Sequence, residues 1–126
     1  MENRALLEKA KEAMKLAYAP YSNFSVGAAI LCENGDVYTG CNIENAAYGA
    51  TNCAERTAIF KAVSEGVKTF SKIAIVSSSV DLTFPCGICR QVMAEFMPDG
   101  VVVLQNSEGK IFEYKVSELL PNSFKL

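Results

Sequence analysis

Two short runs of consecutive apolar residues, 73–76 and 101–104, most constrain the fold of this chain. Each run has the length of a buried strand, and the segment between them carries apolar residues at helical spacing. A helix between two strands of one sheet forms a crossover connection, which layers the helix against the sheet. The centre of the fold is therefore expected to be a sheet that is covered by helices.

A hairpin is predicted earlier in the chain, where residues 25–32 and 37–42 flank Asn34-Gly35, a dipeptide typical of tight hairpin turns. A fifth strand is predicted over 110–114. Helices are predicted over 6–18 (ending before Pro20), 53–65, 86–97 and in a short segment before Pro121. The order α-β-β-α-β-α-β-β-α predicts an α/β fold with a mixed five-stranded sheet. The length of 126 residues suits one domain over 1–126.

The chain contains no histidine. This excludes Ser-His-Asp and Cys-His catalysis and any metal site that needs imidazole. The 12 basic and 14 acidic side chains give a net charge of −2, whereas a nucleic-acid-binding surface needs an excess of positive charge. No apolar run approaches the length of a membrane span. We therefore expect neither a nucleic acid nor a membrane as the partner.

Five cysteines are present, and an odd number cannot pair completely within one chain. The N-terminal residues form an amphipathic stretch that does not resemble a secretory signal peptide. These observations predict a cytoplasmic protein whose cysteines are free or bound to metal. Cys32 and Cys41 fall in the predicted hairpin strands and are interpreted as small core residues.

Cys86 and Cys89 are three positions apart at the start of a predicted helix, and this spacing is compatible with a metal clamp, a redox pair or two buried thiols. Cys53 lies at the start of another predicted helix and extends the set to three. Three protein ligands with one open position are typical of catalytic zinc. Sulfur donors favour Zn²⁺ or an iron–sulfur cluster over hard cations, and a cluster would normally need a fourth cysteine at a matching spacing. A helix N-terminus also stabilises a thiolate.

Glu55 and Arg56 follow Cys53 closely and have two interpretations each. Glu55 could serve as the proton acceptor beside a metal centre, since no histidine is available, or it could simply interact favourably with the helix dipole. Arg56 could donate hydrogen bonds to the sulfurs and offset their negative charge, or it could be a solvated side chain.

Several motifs together resemble a known family. Residues 53–55 (CAE) with 85–89 (PCGIC) resemble the signature of zinc nucleoside deaminases. Residues 21–29 (YSNFSVGAA) and 42–48 (NIENAAY) resemble the substrate loop and the ribose-binding segment of cytidine deaminases. Residues 89–91 (CRQ) and 118–121 (ELLP) are similar to motifs that occur later in the sequences of cytidine deaminases. In this order, over most of the chain, they are typical of the small homotetrameric three-cysteine cytidine deaminases.

The resemblance implies a three-layer fold with helices on both faces of the sheet. It also implies one Zn²⁺ per chain held by Cys53, Cys86 and Cys89, with Glu55 as the proton shuttle. Some family members have histidine at the position of Cys53. The extra thiolate here would leave more charge to be balanced by Arg56, and by Arg90 as a second candidate.

The resemblance also implies which residues bind substrate. Asn42 and Glu44 would bind the ribose 3′-hydroxyl, Phe24 would stack on the pyrimidine, and the backbone around Ala54 would contact the edge of the base. The family also implies that Tyr48 and Phe124 complete a site across a subunit boundary. The implied activity is hydrolytic deamination of cytidine and 2′-deoxycytidine to uridine and 2′-deoxyuridine plus ammonia, in pyrimidine salvage.

Three alternatives remain open at this stage. The first is a deaminase of another cytosine nucleoside, of the blasticidin S type, although those relatives lack the NIEN segment at 42–45. The second is a non-enzymatic zinc or redox protein that uses only Cys86 and Cys89. The third is an RNA deaminase, which the near-neutral charge disfavours.

Overall fold

A computed structural model describes all 126 residues and contains one five-stranded sheet with the order β2-β1-β3-β4-β5. The strands are β1 (Val26–Cys32), β2 (Val37–Cys41), β3 (Phe70–Ser77), β4 (Val101–Gln105) and β5 (Ile111–Lys115). Strands β3 and β4 are parallel, and the other neighbouring pairs are antiparallel. The mixed five-stranded sheet predicted from the sequence is therefore confirmed.

The helices are α1 (Asn3–Met14), α2 (Ala54–Ser64), α3 (Gly87–Phe96) and α4 (Val116–Leu119), with a 3₁₀ turn at Tyr48–Ala50. Their order along the chain agrees with the prediction. No helix is both long enough and apolar enough to cross a lipid bilayer.

Alternate residues of each central strand pack on opposite faces of the sheet, as strand geometry requires. In β1, Ala28 and Ile30 point into a core with α2 and α3, whereas Ala29 and Leu31 point into a second core with α1. Both faces of β1, β3 and β4 are covered, which explains their nearly continuous apolar sequences. The fold thus has three layers, with helices on both faces of the sheet.

The end of the first helix differs from the prediction. Helix α1 ends at Met14, although apolar residues at helical spacing continue to Tyr18. The backbone of Tyr18 instead pairs with the segment after β2, where its amide donates to Asn42 O at 3.0 Å and its carbonyl accepts from Glu44 N at 2.9 Å. Tertiary pairing therefore outweighs the local helical pattern at this end.

The hairpin prediction is confirmed. Gly35 has φ of +96°, a conformation that glycine adopts without steric cost, and Asn34 Oδ1 accepts a hydrogen bond from Asp36 N at 2.9 Å. The hairpin aligns the start of β1 with the end of β2, and β3 ends beside the same point because Val26 is paired with Ser77. Segments from three strands therefore meet at one edge of the sheet.

Gly40 in β2 allows α2 to approach the sheet closely. A Cβ atom at this position would lie 2.6 Å from Ala54 O and 2.9 Å from Thr57 Cβ, both in the first turns of α2. We expect Gly40→Ala to lower the free energy of unfolding by about 1–3 kcal/mol, because the helix would have to move away from the strand. Urea denaturation measures this change.

Gly49→Ala provides the control, since no atom lies within 4 Å of the added Cβ. Its urea midpoint should match that of the unchanged protein. Equal midpoints for Gly40→Ala and Gly49→Ala would contradict the close approach of α2.

Candidate metal centre and adjoining cavity

Three cysteines meet where two helices begin. Cys53 is the N-cap residue of α2, Cys86 is the N-cap residue of α3, and Cys89 lies in the first turn of α3. Their sulfur atoms all lie within 4.8 Å of one another, and the Sγ atoms of Cys53 and Cys86 are 3.7 Å apart. No side chain caps either helix, so the sulfurs lie at two electropositive helix ends.

The protonation of these thiols indicates a site suited to a cation. Hydrogen bonds from Cys89 and Arg56 lower the pKa of the Cys53 thiol to about 5. A hydrogen bond to Cys53 and burial raise the pKa of Cys89. Metal binding requires deprotonated sulfur, and the lowered pKa of Cys53 favours its thiolate form. Three sulfur donors with one position left open fit catalytic Zn²⁺.

Glu55 is a buried carboxyl group beside these sulfurs. It is only 4 % exposed, and burial raises its pKa to about 7. Glu55, Cys53 and Cys86 line the same cavity. A carboxyl group with a pKa near neutrality can both accept and return a proton, which is the requirement for general acid–base catalysis.

The two arginines near the centre have different contacts. Arg56 Nη2 donates to Cys53 Sγ at 3.3 Å, and its buried Nε has no hydrogen-bond partner. Arg90 makes no contact with sulfur; it donates to Pro85 O at 2.8 Å and to Leu119 O at 2.9 Å. Of the two arginines, only Arg56 donates to a sulfur atom, whereas Arg90 ties the loop before Cys86 to the end of α4.

A cavity of about 470 Å³ opens beside the cysteines, a volume within the usual range for small-molecule sites. The lining includes seven of the predicted site residues: Phe24, Asn42, Glu44, Cys53, Ala54, Glu55 and Cys86. They come from the loop before β1, the segment after β2, the start of α2 and the loop before α3. The cavity therefore lies at the sheet edge where β1 begins and β2 and β3 end.

Asn42 and Glu44 are held in fixed orientations at this cavity. Asn42 Oδ1 accepts from Val26 N at 2.8 Å, and its Nδ2 donates to Phe24 O at 2.7 Å. Glu44 Oε1 accepts from Tyr21 N at 2.9 Å and Ser22 N at 3.1 Å. A hydrogen bond from the Ser22 hydroxyl is the main reason that the pKa of Glu44 lies below its usual value.

Two of the residues predicted to bind substrate lie outside this cavity. Tyr48 is 90 % exposed and lines a smaller cavity next to it, together with Glu44 and Thr51. Phe124 is 66 % exposed, and only its backbone is fixed, through Gln91 Nε2 donating to Phe124 O at 3.1 Å. A single chain therefore does not bring these two side chains to the main cavity.

Several lining residues were not singled out in the sequence: Ser22, Val26, Thr51, Asn52, Thr83 and Phe84. Ser22 and Val26 belong to the 21–29 motif, whose resemblance to a substrate loop could have identified them as lining residues. Thr83 and Phe84 follow a serine-rich loop with no periodic pattern, so no local signal predicts their position. Phe84 is oriented by an edge-on contact with Tyr114, with ring centroids 5.2 Å apart.

The two remaining cysteines lie away from this cavity. The interpretation of Cys32 as a core residue agrees with its burial, and Cys41 is half-buried on an edge strand.

An α/β fold that carries three sulfur ligands beside a buried carboxylate defines a class of zinc-dependent hydrolytic enzymes. Comparisons with known proteins identify the family. The chain matches the family model for the cytidine and deoxycytidylate deaminase zinc-binding region over residues 1–105. The chain belongs to this deaminase family.

Individual relatives agree with the family match. Cytidine deaminase of Halalkalibacterium halodurans is 54% identical, over 98% of this chain and 95% of that protein. Cytidine deaminase of Sporosarcina psychrophila is 52% identical, over 98% of this chain and 92% of that protein. The crystal structure of cytidine deaminase from Burkholderia pseudomallei superposes with a TM-score of 0.93 at 49% identity, covering 98% and 100% of the two chains.

One further comparison concerns the blasticidin S alternative. Blasticidin-S deaminase of Bacillus cereus is 33% identical over 92% of this chain and 87% of that protein. This identity is well below the 52–54% found for the two cytidine deaminases. The alternative is therefore not favoured.

Metal analysis of two cysteine variants tests the metal centre. Cys86→Ala should reduce bound zinc from one ion per chain to nearly none after dialysis, because two sulfurs cannot complete the site. Cys86 is exposed, so the change should leave the fold intact. Inductively coupled plasma mass spectrometry measures the zinc content.

Cys41→Ala is the matched control and should keep one zinc ion per chain. Full zinc retention by Cys86→Ala, or its loss in Cys41→Ala, would contradict the assignment of the centre.

Proposed function

We propose that this chain, as one domain over residues 1–126, catalyses the zinc-dependent hydrolytic deamination of cytidine and 2′-deoxycytidine to uridine and 2′-deoxyuridine plus ammonia. The observation that carries the proposal is the buried Glu55 carboxyl group, which shares one cavity with Cys53 and Cys86. The 52–54% identity to cytidine deaminases over nearly the whole chain supports the choice of substrate.

In this proposal, Cys53, Cys86 and Cys89 hold the zinc ion. Zinc, when bound, supplies Lewis acidity that makes water a nucleophile at neutral pH. Glu55 accepts a proton from the attacking water and delivers it to N3 of the pyrimidine. A second proton transfer through Glu55 makes ammonia the leaving group. Arg56 keeps the thiolates ionised by donating to Cys53 Sγ.

The remaining lining residues orient the nucleoside. Phe24 offers an aromatic face to the base, and the backbone at Ala54 contacts the edge of the base. Asn42 and Glu44 bind the ribose 3′-hydroxyl, which needs both a donor and an acceptor when it is buried. The cavity lining contains two glutamates and no lysine or arginine. This charge favours a neutral nucleoside over a nucleotide or a nucleic acid.

We further propose a homotetramer with shared active sites, acting in pyrimidine salvage in the cytoplasm. The exposed side chains of Tyr48 and Phe124 support shared sites, because each is available to complete the cavity of a neighbouring copy. A centre built from reduced thiols suits a reducing compartment.

Glu55→Gln tests the catalytic role directly. The amide fills the same space but cannot shuttle a proton, so kcat should fall by about 10²- to 10⁴-fold while zinc content stays at one ion per chain. The ultraviolet absorbance change on conversion of cytidine to uridine measures the rate.

Glu65→Gln, an exposed glutamate at the end of the same helix, is the control and should retain full activity. Near-normal turnover by Glu55→Gln would overturn the assigned role. If the unchanged protein holds zinc but does not deaminate cytidine, the substrate is a different cytosine compound. If it neither deaminates cytidine nor holds zinc, a reversible disulfide between Cys86 and Cys89 would support the redox alternative.

Mixed oligomers test the shared site. Phe124→Ala should raise KM for cytidine, because the neighbouring cavity loses an apolar wall, while the oligomer keeps four times the 13.6 kDa chain mass by light scattering. Co-expression with Glu55→Gln subunits supplies intact Phe124 side chains to the functional cavities. KM should then return toward its original value.

If the KM of the co-expressed oligomers stays as high as that of Phe124→Ala alone, Phe124 acts on the cavity of its own chain. Glu65→Gln subunits are active themselves, so they cannot replace Glu55→Gln subunits in this test. The control is a mixture of separately purified Phe124→Ala and Glu55→Gln oligomers that do not exchange subunits, and its KM should stay raised.

A further inference from the structure

The loop between α1 and β1 is folded around one carboxylate. Residues 21–24 direct two backbone amides, Tyr21 N and Ser22 N, and one hydroxyl, Ser22 Oγ, at the side chain of Glu44. The Ser22 hydroxyl also accepts a hydrogen bond from Phe24 N at 3.0 Å. Ser22 therefore connects Glu44 to the backbone of Phe24, the aromatic residue that lines the cavity.

The other end of this loop is held by a second polar side chain. Asn42 bonds to Phe24 O and to Val26 N through its amide group. Asn42 is buried, so water has little access to these bonds. The loop between Tyr21 and Val26 is thus clamped at both ends by Asn42 and Glu44.

The loop needs this clamp because its backbone is not in a relaxed conformation. Asn23 has φ of +56°, in the left-handed region that non-glycine residues rarely adopt. Asparagine tolerates this region better than most residues, but hydrogen bonds on both sides keep it there. The position of the Phe24 ring therefore depends on the same bonds that orient Asn42 and Glu44.

Little hydrogen-bonding capacity is left on the two clamping side chains. Glu44 Oε1 already accepts two hydrogen bonds, so Oε2, which accepts from Ser22, retains the free acceptor position. Asn42 retains one free N–H on Nδ2. One donor and one acceptor match a single sugar hydroxyl.

We propose that Ser22 is a positioning residue that couples recognition of the sugar hydroxyl to the placement of Phe24 against the base. This inference rests on the proposed function. A hydroxyl bound at Glu44 shares Oε2 with Ser22, and Ser22 in turn fixes the amide of Phe24. Ser22 therefore orients both the carboxylate that would bind the sugar hydroxyl and the residue that would face the base.

The experiment compares cytidine with 3′-deoxycytidine, which lacks the hydroxyl. Ser22→Ala should lower kcat/KM for cytidine about tenfold, since a hydrogen bond to a charged group is lost. The loss for 3′-deoxycytidine should be at least threefold smaller, because Glu44 then has no hydroxyl to position. Ser22→Thr retains the hydroxyl and should restore the preference for cytidine.

Ser25→Ala is the matched control, since the backbone of Ser25, and not its hydroxyl, is hydrogen-bonded. It should leave the ratio of the two substrates unchanged. Equal losses for both substrates in Ser22→Ala, or no loss for either, would overturn the coupling. Thermal melting of the variants separates misfolding from a change in the site.

Kinetic measurements on the unchanged protein provide a second test, which needs no variant. With 3′-deoxycytidine, kcat should fall at least threefold in addition to a rise in KM, because the nucleoside is no longer anchored at the carboxylate that Ser22 ties to Phe24. A change in KM alone would mean that sugar and base are recognised independently, and the proposal would fail. Absence of cytidine turnover in the unchanged protein would instead overturn the proposed function itself.

Discussion

The burial of β1 on both faces is the constraint on which the rest of the structure depends. All seven residues of Val26–Cys32 are buried, between β2 and β3 in the sheet and between helices above and below. Gly27 and Gly40 leave no room for a side chain where α1 and α2 approach. Because these helices cannot move outward without opening the core, the first turn of α2 is fixed against the sheet.

The fixed start of α2 decides the chemistry of the metal centre. Cys53 at this position faces Cys86 and Cys89 on α3, and both helix ends favour negative charge on sulfur. The buried Glu55 next to them has a pKa of about 7, because it is removed from water in a region that already contains thiolates. The Arg56 guanidinium donates to Cys53 Sγ in the same region. An electrostatic arrangement of this kind requires a rigid scaffold, since small displacements change every interaction in it.

The part of the cavity away from the cysteines is held rigid in a different way. It is built from loops, and its rigidity comes from side-chain to backbone hydrogen bonds made by Asn42 and Glu44. Loops positioned by a rigid scaffold commonly carry binding residues. Here the polar residues proposed to bind the sugar also hold the backbone of Phe24, so one network serves both structure and recognition.

Periodicity and turn chemistry are local properties. They were therefore enough to predict the order of the elements, the hairpin at Asn34-Gly35 and the buried central strands. The sequence also indicated the cysteines and Glu55 as a set through their spacing and their resemblance to a family. It did not determine where α1 ends, because the pairing of Tyr18 with Asn42 and Glu44 is a tertiary contact. Only the tertiary structure distinguished Arg56, which contacts sulfur, from Arg90, which contacts backbone carbonyls. Thr83, Phe84 and the role of Ser22 likewise depend on contacts between segments that are distant in sequence, and local patterns carry no information about such contacts.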